Sequence, residues 1–417
     1  MGTFWHSFAD MAAVESGGEL VIDRGEGAHV WDEQGRRYLD ATAALWYCNV
    51  GYGREEIADA AHRQMVRLSA YSTFGDQSNR PAIELAERLG GLAPVPDSKV
   101  FLTSGGSDSI DTATKMARRY WQLRGETERT LLVARQHAYH GMHVAGTSLA
   151  GIEANAAGHG PLVGDVVKIA WDSPAALHDA IVAASPERVA AFFCEPVIGA
   201  GGVFAPPEGY LAEVRAICRD AGVLFVADEV ITGFGRVGDW FASSRWNLEP
   251  DILTCAKGIT SGYLPLGATL VSDEITAALE GGGTLAHGFT YTGHPVPCAA
   301  ALANLDILER ERLVERVRDD VGPRFQAALR RFADHPAVAE VRGVQLIGAL
   351  ELRRPSRGPR ADAPPNTLGL AAHELAREEG VIVRGIRDLV ALAPPFVVTH
   401  DELDRMFASL TRALDRL

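Results

Sequence analysis

Two short apolar runs constrain this chain more than any other feature, because each delivers one charged residue to its C-terminal end. Residues 223–227 (Val-Leu-Phe-Val-Ala) lead into Asp228, and the run after Asp251 (Ile-Leu-Thr-Cys-Ala) leads into Lys257. The two charges lie 257 − 228 = 29 residues apart, a length that one βαβ-like repeat spans. In a parallel sheet, the edge at the C-terminal ends of the strands is where ligands bind. Lys257 is also unusual in kind. Lysine and arginine together number 40, yet the lysines are only Lys99, Lys115, Lys168 and Lys257. Arginine supplies the ordinary positive surface here. A lysine kept in an apolar strand-to-loop context points to a task arginine cannot do. Arginine stays protonated, whereas a desolvated lysine amine loses its proton and attacks a carbonyl. The competing reading is a lysine snorkelling from a strand end.

Asp228 moves the balance. A carboxylate at the same edge can hold a pyridinium nitrogen protonated while the lysine of the next strand forms an imine. That pair is the one pyridoxal 5'-phosphate (PLP) chemistry requires. Residues 99–104 read as a strand running into Gly105, Gly106, Ser107 and Asp108, which open a helix. A strand, a glycine turn and a helix N-terminus together make a phosphate seat, with backbone N–H groups and the helix dipole facing the anion. A capped helix is the plainer alternative. The turn matches neither the dinucleotide glycine fingerprint nor the P-loop, which weighs against nicotinamide and nucleotide cofactors. Nor is it a nucleophile elbow, because Ser109 stands where the last glycine should be. His137, His140 and His143 recur every three residues, but Gly141 and the strand-to-loop context argue against a metal-binding helix. Glu195 follows another apolar run and precedes a glycine loop.

The stretches Asp228-Glu-Val230-Ile-Thr-Gly-Phe-Gly-Arg236 and Cys255-Ala-Lys257-Gly-Ile-Thr-Ser-Gly-Tyr-Leu-Pro-Leu-Gly267 resemble the class III, or ω-type, aminotransferases of PLP fold type I. The resemblance runs from about Phe8 to the C-terminus, and its motifs are long and specific. It implies an α/β fold: a large domain with a central, mostly parallel sheet of the seven-stranded type, and a small α+β domain. The expected division is 1–45 as N-terminal arm and part of the small domain, 46–296 as the large PLP-binding domain, and 297–417 as the C-terminal part of the small domain. The resemblance puts the cofactor phosphate on Gly106 and Ser107, with Thr290 reaching the phosphate of the other subunit. It stacks Tyr139 on the pyridine ring, with His140 beside it, and covers the opposite face with Val230. It places Glu195 near the cofactor and Trp46 in the substrate pocket wall. Trp46, Tyr139 and Phe289 together suggest an apolar pocket. Arg384 matches the family's mobile arginine, which holds a carboxylate or swings away from an uncharged group. Three positions depart from the family pattern: Gly105 where Ser is common, Asp108 where Glu is common, and Gln345 where glycine is usual.

The activity this implies is ping-pong transfer of an amino group from an amine or ω-amino acid to a keto acid, with pyruvate as the expected acceptor. Lys257 would hold PLP as a Schiff base and then move the proton. Other outcomes stay open at this stage. A same-fold aminomutase or amine-forming decarboxylase shares these residues, and a non-catalytic PLP-binding regulatory protein belongs to another class. No position identifies the amine donor.

Composition closes off other classes. The net charge of −14 without basic clusters argues against nucleic acid and anionic membranes. The five cysteines are scattered, odd in number and free of CxxC spacing, which suits reduced thiols in a cytoplasmic protein. No export signal and no transmembrane helix are expected. Residues 1–20 read as an arm whose Phe4, Trp5 and Phe8 pack on a neighbour, which suits a partner subunit; the resemblance at Thr290 implies a homodimer with shared active sites, or a dimer of dimers.

Overall fold

The computed structural model describes residues 3–355, 360 and 362–417. The Arg- and Pro-rich stretch 353–366 reads in the sequence as a solvated surface loop; part of it lies outside the described residues, as do the first two residues of the arm.

Three strands open the fold: β1 (Ile22–Glu26), β2 (His29–Asp32) and β3 (Arg37–Asp40). Seven follow: β4 (Lys99–Thr103), β5 (Leu131–Arg135), β6 (Val166–Ile169), β7 (Val189–Cys194), β8 (Leu224–Asp228), β9 (Ile252–Cys255) and β10 (Gly267–Val271). The last five are β11 (Val338–Val344), β12 (Ile347–Leu352), β13 (Val381–Ile382), β14 (Arg384–Ile386) and β15 (Leu389–Leu392). Sequence alternation suggests two strands around the Gln34-Gly35 turn. There are three, because the chain also reverses at Gly27 (φ 58°) between β1 and β2.

The central sheet has seven strands in the order β4-β10-β9-β8-β7-β5-β6. β10 runs antiparallel to both its neighbours, and the pairs among β5 to β9 are parallel. The expected mostly parallel sheet is therefore present. Every residue of β5, β7, β8 and β9 is buried, as a sheet covered on both faces requires. Alternation sends Ala191, Phe193, Leu224 and Val226 to one face, where they pack with Ile110, Ala113 and Met116 of the helix Gly106–Leu123. Phe192, Cys194, Phe225 and Ala227 turn to the other face, against Leu211, Val214 and Cys218 of the helix Tyr210–Asp220. All five cysteines are buried and unpaired.

The C-terminal strands form a sheet in the order β11-β12-β15-β14. β13 instead pairs in parallel with β3, with Val381 opposite Leu39 and Ile382 opposite Asp40. The N-terminal strands are thus completed by a strand from near the C-terminus. The last helix, His400–Asp415, opens on a capping box of Thr399 and Glu402. In the arm, Phe4, Trp5 and Phe8 are exposed on this chain.

Gln345 occupies the tight β11–β12 turn at φ 48°, a left-handed conformation disfavoured for residues with a Cβ. Its Oε1 is buried without a hydrogen-bond partner. The departure from glycine therefore places both backbone strain and an unpaired polar atom at one turn. Gln345→Gly is expected to stabilise the protein by about 1 kcal/mol, with strain and desolvation relieved outweighing added chain freedom. Thermal unfolding checks this, and a lower midpoint than wild type would refute it.

Candidate active site

The ends of β4, β5, β7, β8 and β9 lie along one edge of the central sheet. The segments that follow them line a cavity of about 360 Å3. After β4 come Ser104 to Ser107; after β5, Tyr139 to Gly141; after β7, Glu195; at the end of β8, Asp228; and after β9, Ala256 and Lys257. The register that sets Asp228 beside Thr254 brings the two apolar runs of the sequence side by side.

Lys257 takes φ 48° and opens a single 3-10 turn. Burial draws its amine down to about 8, while the negative charges of Asp228 and Glu195 act against that fall. Arg384 and Arg236 lower it further. Its Nζ stands 5.5 Å from the centroid of the Trp46 ring. Asp228 is buried. Its Oδ2 accepts from His140 Nδ1 at 2.7 Å and its Oδ1 from the Val230 N–H at 3.1 Å. This pairing assigns the proton to His140 Nδ1 and fixes the carboxylate's orientation.

Glu195 has a structural role that sequence alone does not supply. Its carboxylate accepts the N–H of Tyr139 at 2.9 Å and that of Gly199 at 3.0 Å. Burial pushes its carboxyl up, and the His140 ring and these two bonds pull it back. It ties the Tyr139 loop to the glycine loop beyond β7. Tyr139 lies half-buried, its phenol raised by burial and by Asp228.

No side chain caps the first turn of the helix Gly106–Leu123. Its N–H groups therefore face the cavity edge as an anion seat. A Cβ at Gly106 would crowd Val230, meeting its Cγ1 at 3.0 Å. Gly141 (φ 87°) has to be glycine, since a Cβ would fall 2.4 Å from Ser107 Oγ. Ser107 Oγ accepts the Met142 N–H at 3.1 Å, which locks the two loops together. Asp108 Oδ2 accepts the Ser104 N–H at 3.0 Å. The three spaced histidines diverge: His140 bonds Asp228, the His143 Nδ1 lies 3.3 Å from Asp108, and His137 stacks on Phe204.

Other sequence candidates lie elsewhere. Trp46 is buried in an apolar cluster with Ile231, Val203 and Ala391 rather than lining the cavity directly, while its neighbour Tyr47 does line it. Phe289 and Thr290 stand outside the chain's own cavity: Thr290 is exposed, and the half-buried Phe289 packs its ring edge-on against His287. Arg384 begins β14. Its side chain is exposed by area, yet its charge is felt at Lys257 and Tyr139. Sequence reading missed Tyr47, Ile231 and the 260–266 loop, which all line the cavity. Tyr47 looks like one more core aromatic in the sequence, and nothing in the pattern separates it from Trp46.

A family model described as aminotransferase class-III matches residues 11–414. The chain belongs to the class-III aminotransferases. It is 39% identical to a putrescine–pyruvate aminotransferase of Pseudomonas aeruginosa, over 98% of this chain and 93% of that protein. It is 36% identical to a diaminobutyrate–2-oxoglutarate transaminase of Halomonas elongata, over 95% of this chain and 90% of that one. Among solved structures, an (S)-enantioselective omega-transaminase from Thermomicrobium roseum superposes with a TM-score of 0.93 at 40% identity, covering 98% of this chain and 95% of that chain. The omega transaminase of Pseudomonas jessenii in complex with PMP gives 0.92 at 38% identity, covering 99% and 96%. The cofactor of this class-III aminotransferase is PLP. The residues present fit it: an uncapped helix N-terminus for the phosphate, a buried and oriented carboxylate, and a lysine amine lowered toward neutrality.

In the cofactor-free enzyme, acylation of Lys257 by an amine-reactive reagent is expected to titrate with a midpoint at about 8, well below the ~10.4 of an ordinary lysine. The amine is protonated below that midpoint and reactive above it. Asp228→Asn should move the midpoint lower, since the Asp228 charge favours the ammonium. Mass spectrometry of the four lysine sites reads this out. A Lys257 midpoint above 10 would contradict the burial argument.

Proposed function

We propose that this aminotransferase takes an amino group from a primary amine or ω-amino acid and gives it to pyruvate in a ping-pong cycle. The observation that carries the reading is the meeting of Lys257, Asp228 and an uncapped helix N-terminus at one cavity. Support for the substrate classes comes from the relatives, one named for putrescine and pyruvate and several for ω-transamination.

Bound PLP supplies the electron sink for the charge left on the substrate carbon when its proton departs. Gly106 and Ser107 would hold its phosphate, and Tyr139 and Val230 would cover the two faces of its ring. Asp228, oriented by His140, would keep the ring nitrogen protonated. Lys257 Nζ would be the point of attachment, and the freed amine would take the proton from the substrate carbon and return it. An amine near neutrality at working pH does this best. Glu195 positions Tyr139 through its backbone. Trp46 backs the wall of the donor pocket, and Arg384 binds the keto-acid carboxylate.

The site is completed by a second copy, whose Phe289 and Thr290 enter from across a homodimer interface, or within a dimer of dimers. Their position outside the chain's own cavity, with Thr290 exposed and Phe289 half-buried, supports this, as do the exposed Tyr71, Phe74 and Tyr291. The chain divides at 1–45, 46–296 and 297–417. Its location is cytoplasmic, in keeping with five buried free thiols. Among the described residues, no helix is long and apolar enough to cross a membrane.

The purified enzyme should be yellow, bleach when a primary amine is added and regain its colour with pyruvate. Lys257→Ala should lower turnover on the order of 10^3-fold, the scale of a lost general base. A visible band that no amine or ω-amino acid moves would overturn the reading. Arg384→Ala should raise the KM for pyruvate about 10-fold or more, as loss of a charge-assisted bond does. It should spare the half-reaction with an uncharged amine. Equal losses in both half-reactions would remove Arg384 from the acceptor site.

A further inference from the structure

The segment Ala43–Trp46 carries an unusual backbone. Ala43, Ala44 and Trp46 have φ of 46°, 57° and 62°, and Ala44 combines its φ with ψ −89°. Left-handed residues with a Cβ persist only where the surroundings over-determine them, and they gather at functional sites. Here the surroundings converge on one carboxylate. Asp40, at the end of β3, is 2% exposed. Its Oδ1 accepts the Thr42 N–H at 2.8 Å and lies 2.7 Å from the Thr42 hydroxyl. Its Oδ2 accepts the Ala44 N–H at 2.6 Å and the Tyr52 O–H at 2.5 Å. No arginine, lysine or histidine pairs with it among the described ion pairs. The carboxylate is spent on holding this turn.

What the turn carries is functional. Trp46 stands beside Lys257 and packs on Ile231, which lines the cavity, and Tyr47 lines it directly. We infer that Asp40 is a positioning residue for donor specificity: its carboxylate clamps the left-handed turn so that Tyr47 lines the amine pocket and Trp46 backs that wall beside Lys257. Loss of the clamp lets the turn relax toward ordinary backbone and withdraws the wall. Room for bulky donors then increases, while Lys257 and Asp228, which hang from the other sheet, keep their places. This rests on the reading of the cavity as the donor site.

The test compares kcat/KM for 1-phenylethylamine and for 2-aminopropane, with pyruvate as acceptor, in the PLP-loaded enzyme. Asp40→Asn should raise the bulky-to-small ratio at least fivefold, with the visible cofactor band retained and the thermal midpoint lowered. Tyr52→Phe removes one donor and leaves the carboxylate. It should shift the ratio in the same direction by a smaller factor, and it serves alone if Asp40→Asn does not fold. A purely structural role would lower the midpoint and reduce both donors in equal proportion, and that result overturns the proposal. Trp46→Ala separates the two readings. If it moves the ratio and the Asp40 and Tyr52 variants do not, the clamp is wrong and the pocket stands. If it too leaves the ratio unchanged, the placement of Trp46 in the donor wall falls, and the clamp falls with it.

Discussion

Burial of both faces of the parallel sheet is the constraint on which the rest depends. With β5, β7, β8 and β9 wholly buried, polar groups can leave the core only at the strand ends. The sequence meets this by placing, at or just beyond the ends of β7, β8 and β9, a residue that does something at that edge. Glu195, Asp228 and Lys257 are the consequence: one strand end supplies a carboxylate that organises backbone, the next a carboxylate oriented by histidine, the next an amine. A helix N-terminus after β4 adds the positive end of a dipole.

That edge is crowded with charge in a dry place, and the balance decides what Lys257 can do. Burial lowers its amine, and the nearby carboxylates favour its charged form. The outcome, at about 8, leaves an amine that exchanges a proton readily near neutral pH. Arg236 contributes from behind. It is fully buried and bonded to the Pro394 and Leu346 carbonyls and to Asn49 rather than to a carboxylate, and burial lowers it to about 9. A neutral partner set leaves its charge unneutralised, so its field reaches Lys257.

Lys257 and Asp228 were legible because each is a charge that ends an apolar run, and a charge brought to the rim of a buried sheet needs a partner or a task there. The glycine turn at 105–107 was legible for its strand-to-helix context. Other features follow from tertiary contacts that leave no periodic trace. Glu195 could be placed but not understood, because its partners are the N–H groups of Tyr139 and Gly199, which any residue supplies. Tyr47 and Trp46 are adjacent aromatics, and only the left-handed turn decides which faces the cavity and which lies behind it. Asp40 reads as an ordinary acid at a strand end. Gln345 was visible as a departure, and its φ of 48° gives that departure a physical meaning.

Asp40 also shows why strands from opposite ends of the chain belong together. Its register partner on β13 is Ile382, and the Ala41 N–H donates to the Ile382 carbonyl at 2.9 Å. Two residues beyond Asp40 the chain enters the clamped turn that carries Trp46. Two residues beyond Ile382 it reaches Arg384. The wall beside the amine and the guanidinium assigned to the keto acid therefore leave the same parallel pair, one from each strand. The Ala393 N–H, donating to the Ala41 carbonyl at 2.7 Å, adds a third segment to that junction. The β3–β13 pair thus fixes the starting points of both segments through backbone bonds alone, with no side chain passing between them.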